Sequence, residues 1–245
     1  MHIRKYIYLV LITLMLTNCS KFDSPSDLVD KSILFSDPDK KWENAAIGIE
    51  IREPRPQNPD RYSKVIINIP LEYFELTRNR GENTSSHIVT KSGANMILIN
   101  GDDDYDNALL EEYGLSSEKN IKYKRYYEFL YGLPHSLKSD YVKELSNIEE
   151  TNFNNQEAFA LTAKLRKPII SNEWKIYFSK ENHSILGLDV IHKDENKGET
   201  ILFENYKYVS DVKIPLKHYW VNTKTKEELG TDLVVYDLFK KKELK

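Results

Sequence analysis

The sequence of 245 residues contains a single cysteine, Cys19, and this scarcity sets the first limits on the fold. One cysteine excludes an intramolecular disulfide, and without a Cys/His cluster the chain has no zinc-binding pattern. It also has no long run of lysine and arginine, and its formal net charge is −3, so nucleic acid is not favoured as a partner. We therefore expect a fold stabilised by apolar burial, with no metal and no cofactor.

Catalytic motifs are absent as well. The sequence contains no GxSxG turn, no HExxH helix, no P-loop and no GxGxxG loop. His192 and His218 fall in predicted strands without a neighbouring group to orient them as acid or base. Asp102, Asp104 and Asp106 have the spacing of a calcium loop, but the glutamate required at its twelfth position is missing, so we interpret them as a solvated loop. We predict no catalytic residue and no metal ligand.

Long apolar runs are also absent, except near the N-terminus. Arg4 and Lys5 precede eleven mostly apolar residues, 6–16, a run too short to span a membrane. Residues 16–19 then read Leu-Thr-Asn-Cys. This pattern resembles a bacterial lipoprotein signal, in which cleavage leaves Cys19 as a lipidated N-terminus. The alternative is an ordinary secretory signal with a stray thiol.

The lipoprotein interpretation divides the chain into three parts. It predicts a signal peptide over residues 1–18, a lipidated tether over residues 19–26 and one domain over residues 27–245. Acyl chains on Cys19 are expected to attach the protein to a membrane. Serine in place of aspartate at position 20 favours the outer membrane, on its periplasmic face or at the cell surface.

Aromatic residues are abundant, at 11% of the sequence, and apolar residues alternate in many short runs. Both features favour strands, and hairpin-like spacing without long intervening helices predicts an antiparallel sheet. We predict a mainly β (α+β) fold, with 9–11 strands in a curved sheet or incomplete barrel. Pro70 separates two of the runs and suggests an edge or a bulge. The runs cover residues 46–51, 64–69, 71–76, 95–99, 158–165, 173–178, 184–192, 199–209, 212–221 and 233–239.

Two segments have helical patterns instead. Residues 27–35 are expected to form a short helix capped by Ser26 or Asp27. In residues 119–130, aromatic and apolar side chains recur at the spacing of an amphipathic helix, which the following Gly132-Leu133-Pro134 ends. We expect the short helices to pack in or against the concave face of the sheet.

The inner face of the predicted sheet is the candidate binding surface. In the simplest interpretation its residues are core; alternatively, a curved sheet leaves an apolar cavity that the second helix partly plugs. Glu53-Pro54-Arg55-Pro56 is interpreted as a rigid strand exit with a local ion pair, in preference to a binding site. The candidate ligand-binding residues are Trp174, Ile176, Phe178, Leu216, Trp220, Tyr126, Phe129, Leu130 and Leu133.

Four stretches together resemble a family of uncharacterised bacterial lipoproteins, a domain of unknown function. They are residues 53–56, 99–101, 126–134 and 213–220, which read EPRP, ING, YYEFLYGLP and KIPLKHYW. Family members usually have methionine after the Leu-Pro, where this chain has His135. The resemblance implies a LolA/LolB-like fold, an incomplete antiparallel barrel closed by helices. In carriers with that fold, the interior holds lipoprotein acyl chains.

These observations lead to three functional hypotheses. The first is a membrane-anchored, non-enzymatic lipoprotein that binds a hydrophobic ligand, a lipid or an acyl chain, in a half-barrel. The second is a structural or accessory lipoprotein with a packed core that acts through a protein partner. An apolar cavity of at least ~300 Å³ distinguishes the first from the second. The third, a hydrolase, requires a polar cleft that brings His192 or His218 to carboxylates.

Overall fold

The computed structural model describes residues 22–55 and 58–244. The predicted signal peptide and Cys19 lie outside these residues, as does Pro56 of the EPRP motif, so the predictions made for them stay predictions. Within the described ranges, no helix combines the length and the apolar character needed to cross a membrane.

Fourteen strands form one antiparallel sheet in the described part of the chain, and its ends do not join into a barrel. The strands are β1 (Ala46–Arg52), β2 (Tyr62–Asn68), β3 (Tyr73–Arg80), β4 (Asn83–Val89), β5 (Asn95–Ile99), β6 (Val142–Leu145), β7 (Glu149–Phe153), β8 (Gln156–Ile169), β9 (Ser171–Ser179), β10 (Ile185–Ile191), β11 (Glu199–Val209), β12 (Val212–Asn222), β13 (Glu228–Asp237) and β14 (Lys242–Glu243). Their spatial order is β5-β4-β3-β2-β1-β13-β12-β11-β10-β9-β8-β6, with β7 beside β8 and β14 beside β13.

The predicted antiparallel sheet is confirmed, with more strands than the 9–11 expected. The four strands without a predicted counterpart are β4, β6, β7 and β14, which are short or rich in polar residues and so lack a clear apolar alternation. Pro70 was expected at an edge or a bulge, but it lies in the turn between β2 and β3. There its missing N–H removes no hydrogen bond from the sheet.

Alternation along the strands separates core from surface. On β9, Trp174, Ile176 and Phe178 are fully buried in the main core. Tyr177 points to the opposite face, where its ring stacks on Phe153 with centroids 4.1 Å apart. Because side chains of successive residues alternate across a sheet, one strand contributes to both faces.

Three α-helices and three short 3-10 helices complete the described fold. They are α1 (Pro25–Ser36), α2 (Ala108–Glu112) and α3 (Ser117–Tyr131), with 3-10 turns at Trp42–Asn44, His135–Lys138 and Glu195–Lys197. The two predicted helices are confirmed as α1 and α3. The cap of α1 is Ser24, and not Ser26 or Asp27: the Ser24 hydroxyl accepts the Asp27 N–H at 3.3 Å, and the Asp27 carboxylate accepts the Ser24 N–H at 2.8 Å.

Helix α3 lies inside the curve of the sheet. It packs against β3, β4 and β5 towards one end of the strand order and against β8 towards the other. Because one helix contacts both ends, the sheet must bend around it. The ring of Phe129 is fully buried and meets Trp174 edge-on at 5.2 Å. The expected architecture, an incomplete barrel with a helix against its inner face, is confirmed.

The folded domain begins before residue 27. Phe22 is 8% exposed, and its ring meets Phe159 of β8 edge-on at 5.0 Å. It also contacts His183, in the turn between β9 and β10, at 5.9 Å. The segment expected to be a tether therefore belongs to the fold from Phe22 onward.

We expect Phe129→Ala to lower the free energy of unfolding by about 3–5 kcal/mol, because it removes a fully buried ring between α3 and the sheet. Leu71, which is 65% exposed, supplies the control: Leu71→Ala should change stability by less than about 0.5 kcal/mol. Urea denaturation of residues 20–245, followed by far-UV circular dichroism, measures both. Equal midpoints for the two variants would show that packing of α3 against the sheet does not stabilise the fold.

Candidate functional site

A cavity of about 940 Å³ lies at one end of the sheet. Its walls come from the residues that follow β1, from the starts of β11 and β13, from the turn between β8 and β9, and from α3. All of these strand ends lie at the same end of the sheet, because neighbouring antiparallel strands run in opposite directions. Five residues of α3 form the side that faces them: Lys122, Tyr123, Arg125, Tyr126 and Tyr127.

A buried ion network forms one wall of this cavity. Glu53, 3% exposed, accepts hydrogen bonds through Oε2 from Arg61 Nε at 3.0 Å and from Ser63 Oγ at 2.9 Å. Arg78 Nη2 lies 3.3 Å from the same oxygen, and the Tyr127 hydroxyl donates to Oε1 at 3.2 Å. One carboxylate therefore faces two guanidinium groups, and the network keeps a net positive charge.

Arg78 connects this network to the helix. Its Nη2 donates to the Tyr127 hydroxyl at 2.6 Å, and its Nε donates to Ser63 Oγ at 2.9 Å. Arg78 is 6% exposed, and removing one partner of a buried ion pair costs about 3–5 kcal/mol. The network therefore fixes α3 relative to β1, β2 and β3, and with it the width of the cavity.

A second ion pair in the cavity wall joins Arg55, which follows β1, to Asp232 on β13. Arg55 Nη2 is 2.6 Å from Asp232 Oδ1, and Trp220 Nε1 donates to Asp232 Oδ2 at 2.9 Å. Burial, followed by the charge of Glu53, raises the pKa of Asp232, while Arg55 opposes the shift. Gly230 lies against the guanidinium group: a Cβ there would come within 2.7 Å of Arg55 Nη1, and the φ angle is +148°.

The predicted local ion pair of the EPRP motif is therefore wrong. Glu53 pairs with Arg61 and Arg78, and Arg55 pairs with Asp232, so each partner comes from another segment of the chain. Both residues of the motif line the cavity. Residues on other segments of the chain therefore decide which charges Glu53 and Arg55 meet.

Apolar and cationic side chains lie together at the mouth of the cavity. Ile170 is 51% exposed and Leu229 is 37% exposed, and Lys122, Arg125 and Lys167 line the same opening. Ile170 has a φ angle of +60° in the tight turn between β8 and β9, a conformation that is unfavourable for a β-branched residue. Strained residues of this kind cluster at functional sites.

Two of the nine predicted ligand-binding residues, Tyr126 and Trp220, line the cavity. The other seven lie in the packed core, each 7% exposed or less: Trp174, Ile176, Phe178, Leu216, Phe129, Leu130 and Leu133. Within this group, Phe129 of α3 meets Trp174 of β9 edge-on at 5.2 Å, so the helix fills the space next to that strand residue. Alternation identifies inward-facing residues, but it does not show which of them a helix will cover.

The charged wall of the cavity has a sequence signal that the prediction missed. Arg78 follows Phe74 and Leu76 at the inward positions of β3, and Asp232 precedes Val234 at the inward positions of β13. A charged residue in the apolar phase of a strand marks either a buried ion pair or a binding site. On α3, Lys122 is exposed and Arg125 is half-buried, and neither carries such a signal.

Neither His192 nor His218 is joined to a carboxylate by a hydrogen bond in the described part of the chain. His218 is 1% exposed and packs against the rings of Tyr131 and Phe203, and neither ring nitrogen has a hydrogen-bond partner among the described residues. His192 acts on the pKa of Glu199, which burial raises and His192 lowers in part, but no hydrogen bond joins the two. A general base needs such a bond to its partner.

The acidic loop after β5 uses its carboxylates locally. Asp102 Oδ1 accepts the N–H of Asp104 at 3.0 Å, and Asp106 Oδ1 accepts the N–H of Ala108 at 2.9 Å. Across residues 22–55 and 58–244, no three His, Cys, Asp or Glu side chains are grouped as a metal site would require.

A family model described as a family of unknown function, DUF6503, matches residues 4–237. The chain belongs to this family. The resemblance to a domain of unknown function is thereby confirmed, and the match includes both the cavity and the predicted signal segment. The comparison with curated proteins found no match.

Solved structures similar to this DUF6503 chain include two bacterial proteins. A DUF1329 family protein from Desulfovibrio piger has a TM-score of 0.51 at 10% identity, over 86% of this chain and 91% of that one. A LolA superfamily protein from Nitrosomonas europaea, NE2245, has a TM-score of 0.48 at 9% identity, again over 86% and 91%. The first supports a shared fold, and at 10% identity it supports no more than that.

We expect stability to decrease as the pH falls from 6.5 towards 3, because burial lowers the pKa of His218 from 6.5 to about 3. Over this pH range the unfolded chain binds a proton at His218 that the folded chain does not. The free energy of unfolding therefore falls by up to about 1.4 kcal/mol for each pH unit. His218→Leu should reduce this dependence of stability on pH. Part of the dependence should remain, because burial also lowers the pKa values of His87 and His135 to about 4. Urea denaturation at several pH values measures the slope; an unchanged slope in the variant contradicts the assignment.

Proposed function

We propose that this protein is a membrane-anchored, non-catalytic binding protein that holds a lipid or an acyl chain in the cavity at the end of its sheet. The observation that carries the proposal is the cavity itself. Its volume of about 940 Å³ lies within the range of pockets for small molecules, about 300–1,000 Å³. Aromatic and aliphatic side chains, among them Tyr126, Trp220 and Leu229, form part of its walls.

The two alternatives receive less support. An accessory lipoprotein acting through a protein partner was expected to have a packed core. The core against α3 is packed, but the cavity at the end of the sheet exceeds the ~300 Å³ that separates the two cases. A hydrolase was expected to join His192 or His218 to a carboxylate. The carboxylate of Asp232, which faces His218 across β12 and β13, bonds to Arg55 and Trp220 instead.

The predicted lipid on Cys19 supplies the anchor in this proposal, and the protein is then an outer-membrane lipoprotein, on the periplasmic face or at the cell surface. Phe22 is packed against the sheet and follows Cys19 by three residues, which span about 10 Å at most. The domain is therefore held close to the bilayer, with the β9–β10 turn beside the anchor.

Anchor and cavity mouth lie at opposite ends of the sheet. Phe22 contacts Phe159 near the start of β8, whereas the cavity is lined by Ile169 at the end of that strand. Ten residues separate these positions, about 30 Å along a strand. In this arrangement the cavity opens away from the anchoring membrane. The protein then exchanges its ligand with a donor or acceptor that is not the bilayer to which the protein is anchored.

Fluorescence quenching tests this orientation. The lipidated protein, in vesicles that contain nitroxide-labelled phospholipid, would carry a fluorophore at Glu181→Cys or at Ile170→Cys, two exposed positions at opposite ends of β9. We expect strong quenching at position 181 and little at position 170, because position 181 lies beside the anchor. Stronger quenching at position 170 contradicts the orientation.

We expect the neutral fluorophore N-phenyl-1-naphthylamine to bind residues 20–245, and lipid to be recovered when the purified protein is extracted for mass spectrometry. Leu229→Glu should weaken binding of the fluorophore about tenfold or more and reduce the recovered lipid, because it places a carboxylate on an apolar part of the wall. Fluorescence titration gives the affinity.

Leu71→Glu is the matched control, because Leu71 is 65% exposed and lies outside the cavity lining. It should bind the fluorophore like the unaltered protein. No binding by the unaltered protein, together with no recovered lipid, contradicts the proposed function. Equal weakening in both variants shows that the fluorophore binds elsewhere.

A further inference from the structure

We propose that the ligand is an anionic amphiphile, and that Lys122, Arg125 and Lys167 bind its carboxylate or phosphate headgroup at the mouth of the cavity. This inference rests on the proposed function and makes it more specific. It adds a headgroup site to a cavity whose apolar surface by itself would suit an uncharged hydrocarbon equally well.

The balance of charge in the cavity is the first observation. Nine charged residues line it, six cations and three carboxylates: Arg55, Arg61, Arg78, Lys122, Arg125, Lys167, Glu53, Glu199 and Asp232. The lining thus has a formal charge of +3 in a chain whose formal net charge is −3. A concave surface of one sign concentrates ligands of the opposite sign.

The second observation is which cations are already paired. Arg61 and Arg78 share Glu53, and Arg55 pairs with Asp232. In the described part of the chain, no carboxylate lies within ion-pair distance of Lys122, Arg125 or Lys167. The positive charge available to a ligand is therefore located on these three side chains at the mouth.

The three cations are held near one another. Lys122 and Arg125 are three residues apart on α3, so they lie on the same face of the helix. Arg125 Nη2 donates to the backbone oxygen of Lys167 at 2.7 Å, which ties the helix to the end of β8. A guanidinium group and two ammonium groups can together donate several charge-assisted hydrogen bonds to one carboxylate or phosphate.

The acidic groups nearby do not cancel this charge. Glu118 lies one turn before Lys122, and its pKa is lowered first by local hydrogen bonds and to a smaller extent by Lys122, without an ion pair between them. Glu199 lines the cavity without an ion pair to any of the three cations. The formal charge of +3 for the lining already counts Glu199 as a full negative charge.

The apolar surroundings indicate an amphiphile and not a free anion. Ile170 and Leu229 line the same opening as the three cations, and Tyr126 and Trp220 continue the wall. The hydroxyl of Tyr126 has no hydrogen-bond partner among the described residues, so it is free to donate to a ligand. Burying a hydrocarbon chain here adds a favourable hydrophobic contribution to binding, which inorganic phosphate does not have.

Matched ligands test the proposal on residues 20–245, which include every contact described above. Dodecanoate, dodecyl phosphate, 1-dodecanol and inorganic phosphate compete with N-phenyl-1-naphthylamine in fluorescence titrations. We expect dodecanoate to bind about tenfold more tightly than 1-dodecanol. The triple variant K122Q/R125Q/K167Q should lose this difference between dodecanoate and 1-dodecanol. The control variant K64Q/K207Q/K242Q removes three exposed lysines outside the cavity and should retain it.

Each outcome separates the two proposals. If dodecanoate and 1-dodecanol bind equally to the unaltered protein, the headgroup site is overturned and the hydrophobic cavity stands. If neither binds, the proposed function itself fails. If inorganic phosphate competes as well as dodecyl phosphate, the site binds free anions, and the proposal of an amphiphilic ligand is overturned. Raising the NaCl concentration from about 0.05 M to about 0.5 M should weaken the binding of dodecanoate and leave the binding of 1-dodecanol unchanged.

Discussion

The packing of α3 inside an open sheet is the constraint on which the rest of the structure depends. A fourteen-stranded sheet that does not close must cover its inner apolar face, and in this protein one helix covers much of it. Helix α3 has 15 residues, a length of about 22 Å, whereas β8 with 14 residues extends about 46 Å. A helix that is shorter than the strands leaves one end uncovered. The cavity lies at such an end.

The buried ions around Glu53 explain why this uncovered end does not collapse. Two guanidinium groups share one carboxylate there, and the Tyr127 hydroxyl joins them from the helix. Each buried charge in this group is stable only when all of its partners are in place. The network therefore fixes the position of α3 more strictly than apolar contact alone would. It also makes one wall of the cavity polar. A ligand must therefore satisfy both apolar and charged surfaces.

The two ends of the sheet have different roles in the proposed function. Phe22 and the β9–β10 turn lie at the end nearest the predicted lipid, and the cationic mouth lies at the other end. A tethered protein with its binding site facing away from the membrane is suited to receiving a ligand. Negative charge on that ligand would direct it to the mouth, since the remainder of the chain is net acidic.

The amino-acid sequence by itself determined the strands with clear alternation, the two longer helices and the inward direction of Trp174, Ile176 and Phe178. These follow from local periodicity, which depends on neighbouring residues alone. The tertiary structure decided which inward residues α3 covers and which ones border the cavity. It also decided the partners of Glu53 and Arg55. Those depend on contacts between distant segments, and no local pattern encodes them.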